Sequence, residues 1–230
     1  MQFTYFNVLM QLLRDRSNFL SEIENHKYVD RKIVSLLISS SLFLALYGAI
    51  IGSTHSVWQT ISSSIKLPAL YLLTLLICLP TLYFMDVVLG SKRTFGQYLA
   101  LLLASVSMMS VMLFGLAPVT LFFRLSIDDY WFFLLLNIIF LGFTGVVGIK
   151  FFYSSMMNLI DKEKLGQAVK NRYKLITGWL FLFSFVGSQL AWTLRPFVGT
   201  PEEPFALFRE IESNFYIQVI YIIGKILGIH

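Results

Sequence analysis

Charge and cysteine are both scarce in this 230-residue chain: Asp, Glu, Lys and Arg together make up 13% of it, and there is one cysteine, Cys78. Soluble domains carry roughly 25% charged residues, so an ordinary water-facing enzyme is excluded. A lone cysteine inside an apolar run excludes a disulfide framework and leaves the redox compartment open. The three histidines, His26, His55 and His230, are scattered along the chain. Their spacing gives no metal cluster and no nucleophile–base pair, and no cofactor is expected. Neither G-x-x-x-x-G-K-[ST] nor G-x-G-x-x-G occurs, so nucleotide phosphates have no cradle. An intramembrane enzyme would need acid–base groups at a defined depth, and Asp86 is the one candidate.

What is present instead is apolar sequence, 57% of the chain, in blocks too long for a single water-facing domain to bury. A spanning helix needs about 20 apolar residues, and the segments 33–51, 67–89, 98–123, 131–152 and 175–194 meet that length. The expected fold is all-α: a polytopic membrane bundle of five transmembrane helices. Residues 1–30 read as an amphipathic helix lying on the membrane, with Phe6, Leu9, Met10, Leu13, Leu20 and Ile23 on one side and Gln11, Asp15, Asn18, Ser21 and Glu22 on the other. Residues 31–194 form the five-helix domain. The remainder, 195–230, holds a stretch with three prolines and a glycine, then the apolar run 215–229. At about 1.5 Å per residue that run falls short of the roughly 30 Å hydrocarbon core and is expected to be interfacial.

Thirteen of the 18 Lys and Arg residues fall on one side of those spans and five on the other. Short basic loops stay in the cytoplasm, which places the N-terminus inside and the C-terminus outside a bacterial inner membrane. Anionic lipid headgroups are the expected partners of the basic side. With no aromatic-basic interleaving, the net charge of +5 does not suggest nucleic acid.

Polar groups at membrane depth are costly and mark the candidate positions. Asp86 and Lys150 fall near the same end of their helices, where they either pair or snorkel to the headgroups. Asn137 and Gln189 share the opposite third, as a bundle hydrogen bond or as pore lining. Ser105, Ser107 and Ser110 either line a wet path or bond the preceding turn. Arg195 is expected to lock the outer loop by a forked ion pair with Asp128, Asp129, Glu202 or Glu203. Those two carboxylate doublets are solvated loop acids or a divalent-ion site. Small residues mark close helix packing at Gly48 and Gly52, at Gly142, Gly145 and Gly148, and at Gly187 beside Ser184, Ser188 and Ala191. They bundle the chain internally or join copies of it in a homo-oligomer. Pro80 and Pro118 each remove a backbone donor within a span.

Four stretches carry a resemblance: Lys-Ile-Val-Ser-Leu-Leu-Ile-Ser-Ser at 32–40; Ile-Lys-Leu-Pro-Ala-Leu at 65–70 with Cys-Leu-Pro-Thr-Leu-Tyr-Phe at 78–84; Arg-Thr-Phe-Gly-Gln-Tyr-Leu-Ala at 93–100; and Trp-Thr-Leu-Arg-Pro-Phe at 192–197 with Asn-Phe-Tyr at 214–216. Together they resemble a family of bacterial multi-pass membrane proteins of unassigned function. Some members carry an actin-binding WH2 label, which this sequence does not support, because the run at 163–167 lacks a Leu-Lys-Lys-Thr-like tail. A looser likeness is to the Yip1-like superfamily, which implies five spans, a cytoplasmic N-terminus and a role in organising membranes and assembling with partners. It carries no site residues over. Two functions follow: a non-enzymatic membrane organiser or assembly subunit, or a pore-forming channel or transporter subunit. No internal repeat supports a monomeric carrier.

Overall fold

The computed structural model describes residues 5–127, 129–160, 167–199, 204–208 and 215–226. These residues are all-α: α1 (Tyr5–Arg14), α2 (Arg16–Glu24), α3 (Val29–Gly52), α4 (Val57–Val88), α5 (Phe95–Ser126), α6 (Tyr130–Ile160), α7 (Gln167–Thr193) and α8 (Phe215–Ile226). Five of them, α3 to α7, are long and apolar enough to cross a membrane, and α8 is a shorter apolar helix. The end of the bundle where α2 meets the start of α3 is hereafter the basic end, and the opposite one the far end.

α5 is apolar nearly all round, the pattern of a helix enclosed by others, and residues from Tyr98 to Thr120 are buried along much of its length. α3 and α6 pack on it, α4 packs on α3, and α7 packs on α4. The α3–α4 contact is close because Gly48 and Gly52 have no side chains. A Cβ on Gly48 would overlap the Ser63 carbonyl, and one on Gly52 would sit 2.5 Å from the Gln59 carbonyl oxygen. Gly187 meets Thr74 of α4 at ordinary contact distance, 3.5 Å from an added Cβ.

The three glycines of α6 do not share one face, which corrects the sequence expectation. Gly148 is pressed against Met109 of α5, whereas nothing lies within 4 Å of a Cβ on Gly142 or Gly145. Each step of three residues stops about 60° short of a full turn, so position 148 lies about 120° round the helix from 142.

The N-terminal segment is helical, in two pieces. Asp15 interrupts it because its carboxylate caps α2, accepting from the Asn18 amide at 3.1 Å. Its apolar side is also divided. Val8, Leu9, Leu12, Phe19, Leu20 and Ile23 are buried in the bundle, while Phe6, Met10 and Leu13 stay exposed. Several side chains fix this docking. Lys32 of α3 donates to Glu22 at 2.6 Å and lies over the Phe19 ring at 4.1 Å, and Gln11 donates to the same carboxylate at 2.9 Å. Arg16 reaches the Phe151 carbonyl and the Ser155 hydroxyl of α6, at 3.2 and 3.0 Å. Gln97 takes part in the capping box of α5 with Thr94 while its amide donates to the Ile23 carbonyl at 2.8 Å.

Burial pushes the Glu22 carboxyl up, but hydrogen bonds from Lys32 and Gln11 outweigh it and hold the group below its ordinary value of 4.5. A depressed folded-state value means that this contribution is complete above the ordinary value and is lost as pH falls through the lowered one. Amide exchange of α2 is therefore expected to quicken on acidification below pH 4.5, and Glu22→Gln to abolish that pH dependence.

Candidate functional site

Among the described residues, polar constellations lie at both ends of the helical bundle and between them. At the basic end Asp86 is fully buried near the end of α4. Its partner is Arg172 on α7 and not Lys150, which is exposed on α6. The Arg172 fork donates from Nε to Oδ1 at 2.7 Å and from Nη2 to Oδ2 at 2.9 Å. The Tyr98 hydroxyl of α5 donates to Oδ2 as well, and the Ser91 hydroxyl lies 2.7 Å from the Tyr98 oxygen. One carboxylate thus ties α4, α5 and α7 together. Lys150 lost the partnership because α7 extends inward past its apolar run, bringing Arg172 to the depth of Asp86.

Toward the far end Asn137 is bonded to Tyr47 of α3 and not to Gln189. The Tyr47 hydroxyl donates to Oδ1 at 2.9 Å, the Asn137 amide donates to the Phe133 carbonyl at 2.8 Å, and the Thr120 hydroxyl lies 3.2 Å from the tyrosine oxygen. Gln189 is half-buried on α7. Ser105 and Ser110 bond the preceding turn, to Leu101 at 3.0 Å and Ser107 at 2.8 Å, and Ser107 donates across to the Leu36 carbonyl at 3.4 Å. All three serines are buried between helices.

The far end is built around a feature the spacing of α4 carried but its hydropathy hid. α4 begins ten residues before its apolar run, at Val57, with Ser56 capping it. Gln59, Ser63 and Lys66, at i, i+4 and i+7, then fall on one face. This face receives the chain that leaves α7. The Gln59 amide donates to the carbonyls of Pro196 at 2.8 Å and Phe197 at 3.2 Å, and the Ser63 hydroxyl to Phe197 at 2.5 Å. The buried Lys66 ammonium donates to Pro196 at 3.4 Å and to Leu207, and lies 4.8 Å over the Phe208 ring. Gly199 gives the fit at the top, where a Cβ would collide with the His55 side chain. The segment after α7 is therefore a strap whose carbonyls are bonded by side chains of α4, which satisfies backbone groups that a membrane would otherwise leave unpaired.

Under the strap lies a cavity of about 370 Å³ between α4, α6, α7 and α8. Pro196, Phe197 and Val198 of the strap form one wall, and Leu70, Trp131, Leu134 and Ile222 much of the rest. Arg195 borders the cavity, its guanidinium stacked 3.6 Å from the centre of the Trp192 ring. Of the acids expected to pair with it, Asp129 accepts the amides of Trp131 and Phe132 at 2.8 and 3.1 Å, and Asp128, Glu202 and Glu203 lie outside the described residues, as does His230. Among the described residues no three of His, Cys, Asp or Glu gather as a metal site. Compared with known proteins, the chain has no match among family models, curated proteins or solved structures.

Proposed function

We propose that this protein is a non-enzymatic subunit that organises the bacterial inner membrane or seats partner proteins there, and that it works as a homo-oligomer. The observation that carries the reading is the free side of α6. Ile139, Gly142, Phe143 and Val146 recur at helical spacing and are exposed, with open space above Gly142 and Gly145. Small residues among apolar ones let a second helix approach closely in lipid. Asp86, Asn137, Ser107 and Ser110 bond within the one chain, which supports a packed scaffold over a water-lined path. The basic end belongs in the cytoplasm, where anionic headgroups attract it, and the C-terminus outside. The likeness to Yip1-like proteins agrees with this role, and nucleic acid has none.

Single-particle imaging in lipid nanodiscs is expected to show a closed, symmetric assembly joined through α6 with a packed axis, which Gly142→Leu reduces to single copies. An axis lined by Gln189 or the α5 serines, with ion flux through the reconstituted protein, would replace this reading by that of a channel subunit. A wild-type monomer would remove the oligomeric part.

A further inference from the structure

We infer that α1 is a re-entrant helix that dips from the basic end to the middle of the membrane, and that Phe6, Met10 and Leu13 form its contact surface for the acyl chains of that leaflet. Aromatic rings fix the depth. Phe6 packs edge-on against Phe43 of α3 at 6.0 Å between ring centres, and Phe43 packs on Phe114 of α5 at 4.9 Å. Arg124 donates to the Ser53 hydroxyl at 2.6 Å, so α3 and α5 end together at the far end. At about 1.5 Å per residue, Phe43 stands ~15 Å short of Ser53 and ~16 Å beyond Lys32, and Phe114 stands ~15 Å short of Arg124. Phe43 and Phe114 thus mark the mid-depth of the spans, half of the roughly 30 Å hydrocarbon core from either side. The other end of α1 stays at the basic end. Arg16, just past it, lies 4.3 Å over the Phe151 ring and donates to Ser155 near the end of α6. Ten residues of helix cover about 15 Å, which is the distance between these two fixed points.

Two apolar flanks of α1 have different surroundings. Val8, Leu9 and Leu12 are buried where α1 packs on α3 and α5. Phe6, Met10 and Leu13, at i, i+4 and i+7, share another flank and are 41, 42 and 41% exposed. A helix lying on the surface would keep its apolar flanks down and its polar side in water. Standing beside α3 at the depth of Phe43, this one turns the second flank into the hydrocarbon. On α3 the face next to Phe43 carries Ile38, Leu42 and Leu46, all exposed, so the flank continues the lipid-facing side of a span. Polar side chains of α1 have partners within the chain: Gln11 donates to Glu22, and Asn7 is engaged as well. After Leu13 the exposed residues turn polar, at Arg14, Asp15, Ser17 and Asn18, where the chain reaches the headgroups of the basic end. The inference depends on the chain spanning a membrane and not on its being an organiser or an oligomer.

The experiment uses the full chain with Cys78→Ala, which removes its one cysteine, in vesicles of phosphatidylethanolamine and phosphatidylglycerol. Phe6→Cys, Met10→Cys and Leu13→Cys, made singly, each carry a nitroxide spin label. Leu42→Cys serves as a reference on the exposed side of α3, and Asn18→Cys as one on the polar side of α2. Oxygen gathers in hydrocarbon and a nickel chelate stays in water, so the ratio of their collision rates with the label reads its depth. The label at position 6 is expected to match that at 42 and to lie about 10 Å deeper than that at 13, with position 10 between them, while nickel reaches position 18 freely. If Phe6→Cys disturbs the seat, the step of about 4–5 Å between positions 10 and 13 carries the same sign. Equal depth at 6, 10 and 13 means a helix lying along the surface, and free nickel access to all three means a helix in water; either result overturns the inference. Labels that neither reagent reaches are covered by protein, which overturns the lipid contact. Nickel access at position 42 would remove the spans themselves, and the inference with them.

Discussion

Replacing Asp86 with leucine is expected to destabilise the bundle by about 3–5 kcal/mol, because it takes the forked carboxylate from the Arg172 guanidinium in a site from which water is excluded. Both partners are enclosed: Asp86 is 0% exposed and Arg172 5%. Removing either alone breaks the fork and leaves its other member buried, whereas removing both takes away the desolvation cost together with the attraction. The double variant Asp86→Leu/Arg172→Met is therefore expected to recover most of the loss, and to unfold in denaturant far closer to the wild type than either single variant. Additive losses would show that the fork contributes nothing as a pair. Tyr98→Phe separates the remaining hydrogen bond, at about 1.5–3 kcal/mol for a bond to a charged group.

A second large effect is expected from two glycines that look alike in the sequence. Gly48→Leu drives a side chain into the backbone of α4 at Ser63, which cannot move aside as a flexible side chain does. A loss of about 3 kcal/mol is expected, the upper part of the usual range for overpacked interiors. Gly142→Leu meets open space and should leave the unfolding of the single chain within about 0.5 kcal/mol. Measured side by side in detergent that separates oligomers, the two variants distinguish helix packing within the chain from packing between copies. Equal losses would contradict the close approach of α3 and α4.

These contrasts mark how far the sequence could be read. The five spans were legible because apolar runs of that length have only one cheap solvent. The start of α4 was not, since Gln59, Ser62, Ser63 and Lys66 lower the hydropathy of a stretch that is helical because its polar face holds the strap. Its i, i+4, i+7 spacing was the signal to follow. Depth alone makes Lys150 a candidate partner of Asp86, with snorkelling as the alternative, and Gln189 a candidate partner of Asn137; Lys150 is exposed and Asp86 pairs with Arg172. Depth narrows the partners without choosing among helices, and the choice fell to α7 and α3 through contacts 86 and 90 residues apart in the chain. Tyr47 gives no such signal, because a phenol in an apolar run reads as an aromatic anchor, although its hydroxyl is the donor that Asn137 needs. The glycines at 142, 145 and 148 form a row in the sequence, but the helical period divides them.

The docking of α2 sets an order on the making of the molecule. Gln97, which holds its last carbonyls, stands 74 residues further along the chain, and the Phe151 carbonyl and Ser155 hydroxyl that Arg16 grasps stand 135 and 139 residues further. A chain synthesised from its amino end can join Glu22 of α2 to Lys32 of α3 early, but must wait for α5 and then α6 before the other holds on α2 exist. Residues made before all the spans are thus fully held only after the fourth of them, and their complete docking reports that the first four spans are in place.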